Sequence, residues 1–221
     1  MNLARSLEKR LENLVDGASA TVFRGKMHPV TIAGRLVRQL EFMAFETPAG
    51  LQIPNVITVG INESDMDANL DVSALESELK DVVQTAASDA GWRLVGPVSV
   101  HIELRQDVPK GILECSGSTE PGSVDAWAQL ISDDGAAVVP LSLNRTLVGR
   151  ALDCDVRLTN GQISRHHATI VYQQGRTTIV DHRSSNGTYV NGTLVSTEPA
   201  PLSPGSSVAF GDLSFVFRPV T

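Results

Sequence analysis

Residues 149–150 read GR, residues 164–167 read SRHH, and residues 184–192 read SSNGTYVNG. Apolar, alternating segments separate these three pieces, so the pattern predicts β-strands that carry the pieces on their connecting loops. The loops together supply guanidinium groups, small hydroxyls and an Asn amide, which suit a bound phosphate and the peptide backbone beside it. The pattern does not indicate bond-breaking chemistry, because no positioned base or metal cluster accompanies these groups.

The second half of the chain has almost no helical periodicity. Short β-prone runs recur there, and turn signals such as Asp134-Gly135 and Pro204-Gly205 separate them. This alternation predicts an all-β sandwich. The predicted strands cover residues 130–131, 137–141, 146–148, 156–158, 168–172, 177–180, 188–190, 207–210 and 213–217.

The first half predicts helices together with a few strands. Pro29 is placed to open a helix that ends before Pro48. Ser73 and Glu76 form a capping-box pattern for a later helix, which Gly91 is expected to end. A helix near the N-terminus is predicted from the leucines that share one face, Leu3, Leu7, Leu11 and Leu14.

Three strands complete the prediction for this half. Residues 56–61 predict a buried strand, and residues 98–104 alternate as a strand with one wet face. Residues 112–115 are expected to pair with the strand at 98–104 across the turn Pro109-Lys110-Gly111. The stretch SGSTEPGS at 116–123 predicts a flexible linker that contains Thr119, a candidate phosphoacceptor.

These patterns predict two domains. An α+β domain, a docking or oligomerisation unit by default, spans residues 1–116. A short linker spans 117–125, and an all-β sandwich spans 126–221.

A net charge of −7 argues against a general nucleic-acid or membrane binder. No apolar run approaches the ~18 residues of a bilayer span. The N-terminus does not resemble a signal peptide. The two cysteines form no metal-type pair, and they indicate a reducing, cytoplasmic setting.

The charge is unevenly distributed along the chain. Residues 1–121 carry 11 basic and 17 acidic side chains, whereas residues 122–221 carry 7 and 8. All seven basic residues of the second half are Arg, and six of them fall between positions 144 and 191, where only three Asp oppose them. Arg is the side chain best shaped for bidentate contacts to phosphate.

The elements GR, SRxH, SSNG and NG, in this order and spacing, resemble the forkhead-associated (FHA) domain over roughly residues 126 to 220. The resemblance implies a β-sandwich that binds phosphothreonine peptides. It makes Arg150 the principal phosphate ligand and Ser164 the second, with Arg165, Ser185 and Asn186 completing the contact to the peptide. Residues implied to support the site structurally are Gly149, His167, Gly187, Asn191 and Gly192.

The N-terminal half looks like the α/β domain found ahead of FHA modules in actinobacterial, cell-wall-associated A-type FHA proteins. The segments EKRLENLVDG, HPVTIAGRLVRQL, VITVGI and WRLVGPVSVHIEL carry this resemblance. It implies partners in a kinase-controlled pathway linked to cell-wall synthesis, at the inner face of the cytoplasmic membrane.

Two rival readings of the same residues are disfavoured. Ser164, His167 and Asp181 contain the residue types of a hydrolase triad, but a nucleophile and base three residues apart on one loop rarely reach the required geometry. A metal site at His166, His167, His182 and Asp181 is also disfavoured, because adjacent residues of a strand point to opposite faces. His166 is expected to be a solvent-facing neighbour of the site.

The sequence therefore predicts a non-catalytic phosphothreonine-binding adaptor without cofactor or metal. Its predicted partners are phosphothreonine-containing proteins, a Ser/Thr protein kinase or the substrates of that kinase. Nucleic acid and direct membrane insertion are not expected. The chain is expected to be cytoplasmic and recruited to the membrane by a partner. The alternative is a regulatory protein whose main activity, nucleic-acid-binding or enzymatic, lies in the N-terminal domain.

Overall fold

The computed structural model describes residues 27–68, 70–196 and 198–220. The chain divides into two compact units, one of residues 1–45 and 52–122 and the other of residues 46–51 and 123–221. The helix predicted from Leu3, Leu7, Leu11 and Leu14 lies outside the described residues. No helix of the described parts is both long and apolar enough to cross a bilayer.

The first unit is built on a three-stranded sheet with strand order β4-β3-β5. Strand β3 pairs in parallel with β4 and antiparallel with β5, and the long helix between β3 and β4 makes the crossover that parallel strands require. Helix α1 packs against α2 and β5, while α2 packs against β4. The elements between residues 27 and 122, of which residues 46–51 belong to the second unit, are α1 (Pro29–Met43), β1 (Phe45–Thr47), β2 (Gly50–Gln52), β3 (Val56–Asn62), a 3-10 turn (Glu63–Asp65), α2 (Val72–Ala90), β4 (Ser99–Arg105) and β5 (Leu113–Ser118).

The predicted helices at 29–43 and 72–90 and the three predicted strands are present, but two details were wrong. The residues at 112–115 pair with β3 and not with β4, because the almost fully buried β3 takes the central position of the sheet. The N-cap of α2 is Asp71, whose side chain accepts from Ala74 N at 3.1 Å, and not Ser73. Glu76 instead accepts the backbone N–H of Ile102 at 2.7 Å.

Several elements gave no usable signal in the sequence. Strands β1 and β2 form a two-stranded sheet whose turn contains Pro48, a residue that the sequence analysis treated only as a marker beyond the helix. Strand β14 (Ala200–Leu202) contains Pro201 and pairs at the edge of its sheet, where a missing backbone N–H is tolerated.

The segment predicted as a flexible linker is partly structured. Gly117 and Ser118 belong to β5, and the side chain of Asn55 holds the residues beyond them. Asn55 Nδ2 donates to Glu120 O at 2.9 Å and to Pro97 O at 3.0 Å, while its Oδ1 accepts from Glu120 N at 2.9 Å. Asn55 is 1% exposed, so its three bonds lie away from water.

The second unit is a sandwich of two sheets, as predicted. One sheet has the order β14-β11-β10-β8-β9 and the other the order β13-β12-β15-β16-β6-β7. Phe210, Phe217, Leu130 and Ile170, each at most 1% exposed, belong to the core of this unit. The strands are β6 (Ala128–Ser132), β7 (Val138–Leu141), β8 (Arg145–Gly149), β9 (Val156–Arg157), β10 (Ala168–Gln173), β11 (Arg176–Asp181), β12 (Thr188–Val190), β13 (Thr193–Leu194), β14 (Ala200–Leu202), β15 (Ser207–Phe210) and β16 (Leu213–Pro219).

Asn55→Ala is expected to lower the free energy of unfolding of the first unit by about 2 to 3 kcal/mol. The reason is that the backbone groups of Glu120 and Pro97 lose their buried partner. Native-state hydrogen exchange of the β3 and β5 amides measures the effect locally.

Ser118→Ala is the matched control, since its hydroxyl bonds the exposed side chain of Glu120 at 3.2 Å. It should change the same amides by less than about 0.5 kcal/mol. Equal effects of the two variants would contradict the role assigned to Asn55.

Candidate functional site

The candidate site lies on three loops of the second unit. They are residues 150–155 after β8, residues 158–167 after β9 and residues 182–187 after β11. Two backbone hydrogen bonds of 3.1 Å join the first loop to the second, from Arg150 N to Ser164 O and from Ala151 N to Arg165 O. The two predicted phosphate ligands, Arg150 and Ser164, are therefore held side by side although they are 14 positions apart in the sequence.

Gly149 makes this close approach sterically allowed. A Cβ at position 149 would lie 2.1 Å from the carbonyl oxygen of Arg165 and 2.9 Å from Sγ of Cys154. Real Cβ atoms do not approach backbone atoms so closely, so any larger residue would push the two loops apart. The glycine is required by contact and not by its own dihedral angles.

His167 connects the second loop with the third. Its side chain is fully buried, and its Nδ1 accepts the backbone N–H of Ser164 at 3.1 Å. Its Nε2 lies 3.1 Å from the carbonyl oxygen of Gly187 and donates to it. The ring is therefore the neutral tautomer with the proton on Nε2. Burial lowers the pKa of His167, which keeps the ring neutral, against smaller raising effects of the Gly187 carbonyl and Asp181.

Asp181 shapes the start of the third loop. Its carboxylate accepts from Ser184 N at 2.8 Å, from Ser184 Oγ at 2.6 Å and from Thr188 Oγ1 at 2.6 Å. Burial acts to raise the pKa of Asp181, but these hydrogen bonds outweigh it and hold the pKa below its ordinary value. The sequence analysis considered Asp181 only for catalysis or metal binding. The Asp three positions before a Ser is the signal that could have indicated this turn.

The third loop brings Ser185 and Asn186 to the site. Ser185 N–H donates to Ser164 Oγ at 3.0 Å, which ties the two predicted ligands together. Asn186 Nδ2 donates to the backbone oxygen of Gln162 at 2.8 Å and to its Oε1 at 2.6 Å. Gln162 was not identified from the sequence, and nothing in its local pattern marks it.

Of the five predicted peptide-binding residues, four line one open pocket: Arg150, Ser164, Arg165 and Ser185. The guanidinium-bearing residues are exposed. Asn186 is exposed next to Ser185 but is not part of the pocket lining.

The three remaining supporting residues occupy turns. Asn191 and Gly192 form the turn between β12 and β13, and Asn191 Oδ1 accepts from Ser207 N at 2.9 Å. Gly187 has a φ of 76° and presents its carbonyl oxygen to His167 and to Gly211 N. None of these three residues lines the pocket, and of them Gly187 contacts the site through His167.

The geometry also bears on the two rival readings. Both ring nitrogens of His167 are engaged by backbone groups, so the ring does not face Ser164 Oγ as a general base would. For the metal hypothesis, His182 Nε2 lies 2.7 Å from Thr169 Oγ1, so this ring nitrogen already has a hydrogen-bond partner. His166, expected to be a solvent-facing neighbour of the site, lines the pocket with a side chain that is 36% exposed, and its Nε2 lies 2.9 Å from Asp153.

Gly149→Ala is expected to destabilise the second unit by at least about 2 kcal/mol, since its methyl group overlaps the Arg165 carbonyl. Gly161→Ala is the matched control, because a Cβ there meets nothing within 4 Å. Hydrogen exchange of the β8 and β10 amides measures both. A tolerated Gly149→Ala would show that the two loops are not held at this distance.

The buried, neutral His167 predicts a stability change with pH. Its pKa is lowered from an ordinary value of 6.5, so below that pH the unfolded chain binds a proton that the folded chain refuses. The free energy of unfolding should be constant above about pH 7.5. It should then fall by up to about 1.4 kcal/mol per pH unit as the pH drops below 6.5. Thermal denaturation of the second unit between pH 7.5 and 5 measures the slope. His167→Gln should reduce the slope and leave the part that comes from His182, whose pKa is also lowered by burial.

Known proteins resemble both units of the chain. Residues 146–211 match the model of the FHA domain, and residues 4–116 match the model of the FhaA N-terminal domain. The glycogen accumulation regulator GarA of Mycolicibacterium smegmatis is 39% identical over 72 residues, which is 33% of this chain and 44% of GarA. The transcriptional regulatory protein EmbR of Mycobacterium tuberculosis is 35% identical over 200 residues, covering 84% of this chain and 50% of EmbR.

A third relative is the ABC transporter ATP-binding/permease protein Rv1747 of Mycobacterium tuberculosis, which is 39% identical over 101 residues. The match covers 46% of this chain and 11% of that protein. The chain thus spans half or less of the length of these relatives. A crystal structure of the FhaA FHA domain complexed with the intracellular domain of Rv3910 is 28% identical. It has a TM-score of 0.38 and covers 41% of this chain and 99% of that one.

The two family matches fall on different parts of the chain and agree with the two units of the fold. The FHA match covers the strands from β8 to β15 and includes the three loops of the candidate site. The other match covers just over half of the chain. The chain therefore belongs to the family defined by the FhaA N-terminal domain and carries an FHA domain after it.

Proposed function

We propose that the chain is a non-catalytic adaptor that binds phosphothreonine peptides through its FHA domain. The observation that carries the proposal is the pocket in which Arg150, Ser164, Arg165 and Ser185 converge from three loops. Two exposed guanidinium groups and two hydroxyls form a donor set for a dianionic phosphate. In this proposal Arg150 grips two phosphate oxygens, and Ser164 donates its hydroxyl hydrogen to a third.

The peptide beside the phosphate needs a second contact to be held extended. We assign this contact to Asn186, because its amide offers a donor and an acceptor that match a peptide backbone. A bound peptide then competes with Gln162 for the Asn186 amide. The site is proposed to select phosphothreonine over phosphoserine by contact with the threonine methyl group. The dissociation constant is expected to be micromolar, which corresponds to a binding free energy of about −8 kcal/mol.

The match to the FHA domain model supports phosphothreonine binding, and a place in kinase signalling is part of the same proposal. We propose that the partners of this chain are phosphothreonine-containing proteins. A Ser/Thr protein kinase would phosphorylate them in a pathway linked to cell-wall synthesis. The N-terminal domain, proposed to span residues 1–116, would dock or oligomerise.

The absence of catalysis and the cytoplasmic location are parts of the same proposal. The FHA domain is a phosphopeptide-binding module. Cys115 and Cys154 are free thiols, as expected in a reducing compartment. Membrane recruitment would then occur through a partner at the inner face. Thr119 is exposed and stays a predicted phosphoacceptor.

Arg150→Ala is expected to weaken binding of a phosphothreonine peptide library by about 2 to 4 kcal/mol, which takes a micromolar dissociation constant towards millimolar. The reason is that the phosphate loses its charge-assisted contact. Isothermal titration calorimetry of the full chain measures the change, with the phosphoserine and unphosphorylated libraries as ligand controls.

Arg176→Ala is the matched protein control, since Arg176 is an exposed Arg of the same domain that lies outside the pocket. It should bind as the wild type does. Equal binding of the phosphorylated and unphosphorylated libraries, or equal losses in the two Arg variants, would refute the proposed function.

A second candidate follows from the relative that is a transcriptional regulatory protein, because its match extends over 84% of this chain. It would place nucleic-acid binding in the N-terminal domain. Residues 1–121 carry 11 basic and 17 acidic side chains, which opposes contact with phosphate backbones. Filter binding of nucleic acid with a salt titration decides between this candidate and the phosphothreonine adaptor. A true nucleic-acid binder would show an affinity for nucleic acid that falls steeply as the salt concentration rises.

A further inference from the structure

Three side chains with different metal-ligating atoms meet beside the phosphate site. Asp153 and Cys154 lie on the loop after β8, and His166 lies on the loop before β10. Their ligating atoms all lie within 4.8 Å of one another. His166 Nε2 is 3.0 Å from one carboxylate oxygen of Asp153 and 2.9 Å from the other. The proposed phosphopeptide contacts use none of the three.

The backbone that carries this trio is fixed. The carbonyl of Arg165 accepts from Ala151 N at 3.1 Å, in the loop after β8, and His167 N donates to Val148 O of β8 at 2.8 Å. The Sγ atom of Cys154 lies 2.9 Å from the place where a Cβ of residue 149 would be, so the glycine there leaves room for the thiol. The three ligands therefore come from two segments whose spacing does not depend on an ion.

We propose that Asp153, Cys154 and His166 bind one zinc ion, with the fourth coordination position open. Zinc takes nitrogen, sulfur and oxygen ligands at about 2.0 to 2.3 Å, which sets the ligand atoms of a tetrahedron about 3.3 to 3.6 Å apart. The ligand atoms, which lie within 4.8 Å of one another, have to adjust to that spacing when the ion binds. The Cys154 thiol, which donates to the Arg165 carbonyl at 3.2 Å, releases its proton to solvent and ligates as the thiolate.

Zinc at this position would change the charge of the phosphate pocket. Asp153 and His166 line the same pocket as Arg150 and Ser164, and the carboxylate of Asp153 repels an incoming phosphate. A divalent ion balanced by one carboxylate and one thiolate leaves the trio neutral. Zinc is therefore expected to tighten phosphopeptide binding about two- to tenfold. This coupling rests on the proposed function, whereas the metal site itself does not.

The test is calorimetric titration of the reduced, chelator-treated full chain with zinc chloride in the presence of a competing chelator. One ion per chain is expected, and Cys154→Ser and His166→Gln should each weaken its binding at least about tenfold. Cys115→Ser, at the other free cysteine, and His182→Gln, at another imidazole of the same pocket, are the matched controls and should bind as the wild type does. Cobalt(II) in place of zinc should show thiolate-to-metal charge-transfer absorption, and Cys154→Ser should abolish it.

The outcomes separate the two parts of the inference. Weak binding that Cys154→Ser and His166→Gln leave unchanged overturns the metal site. Tight zinc binding that leaves the affinity for a phosphothreonine peptide unchanged overturns the coupling. If no phosphopeptide binds with or without zinc, the proposed function fails, and the zinc titration still decides on the metal site.

Discussion

One buried imidazole sets the geometry on which the candidate site depends. His167 accepts a hydrogen bond from the backbone of Ser164 and donates one to the carbonyl of Gly187, so a single ring links two loops that follow different strands. Both contacts require the neutral ring with its proton on Nε2, and burial keeps the ring in that form. The edge of the ring packs on Phe210, with centroids 5.7 Å apart, which anchors the brace in the core of the sandwich.

The electrostatic potential at the site depends on which groups its carboxylates contact. Asp181 is occupied by Ser184 and Thr188, Asp153 lies against His166, and Asp155 accepts the backbone N–H of Leu147 at 2.7 Å. Each acidic group of these loops therefore has a structural partner of its own. The guanidinium groups of Arg150 and Arg165 remain exposed to solvent. An acidic chain can in this way present a local surface that favours a bound anion.

The N-terminal unit is organised around a different polar contact. Strand β3 is central and almost fully buried, and Asn55 immediately before it holds the chain that leaves the unit after β5. The last residues of the first unit are thus bound to it at Glu120. A short segment rich in Gly, Ser and Pro can be ordered when a buried amide satisfies its backbone.

The order of the amino acids was enough to predict the β-sandwich, the two helices of the described N-terminal part and the group of loop residues from Gly149 to Gly192. Alternating polarity, turn residues and a spaced motif are local signals, so they can be recognised in the sequence without the fold. Tertiary structure alone decided that β5 pairs with β3, that Asp71 and not Ser73 caps α2, and that Gln162 meets Asn186. It also decided that His166 lies against Asp153 beside Cys154. These contacts join residues from separate segments or choose between neighbouring candidates. Tertiary packing decides which backbone groups still need a hydrogen-bond partner, so no local sequence pattern could predict these contacts.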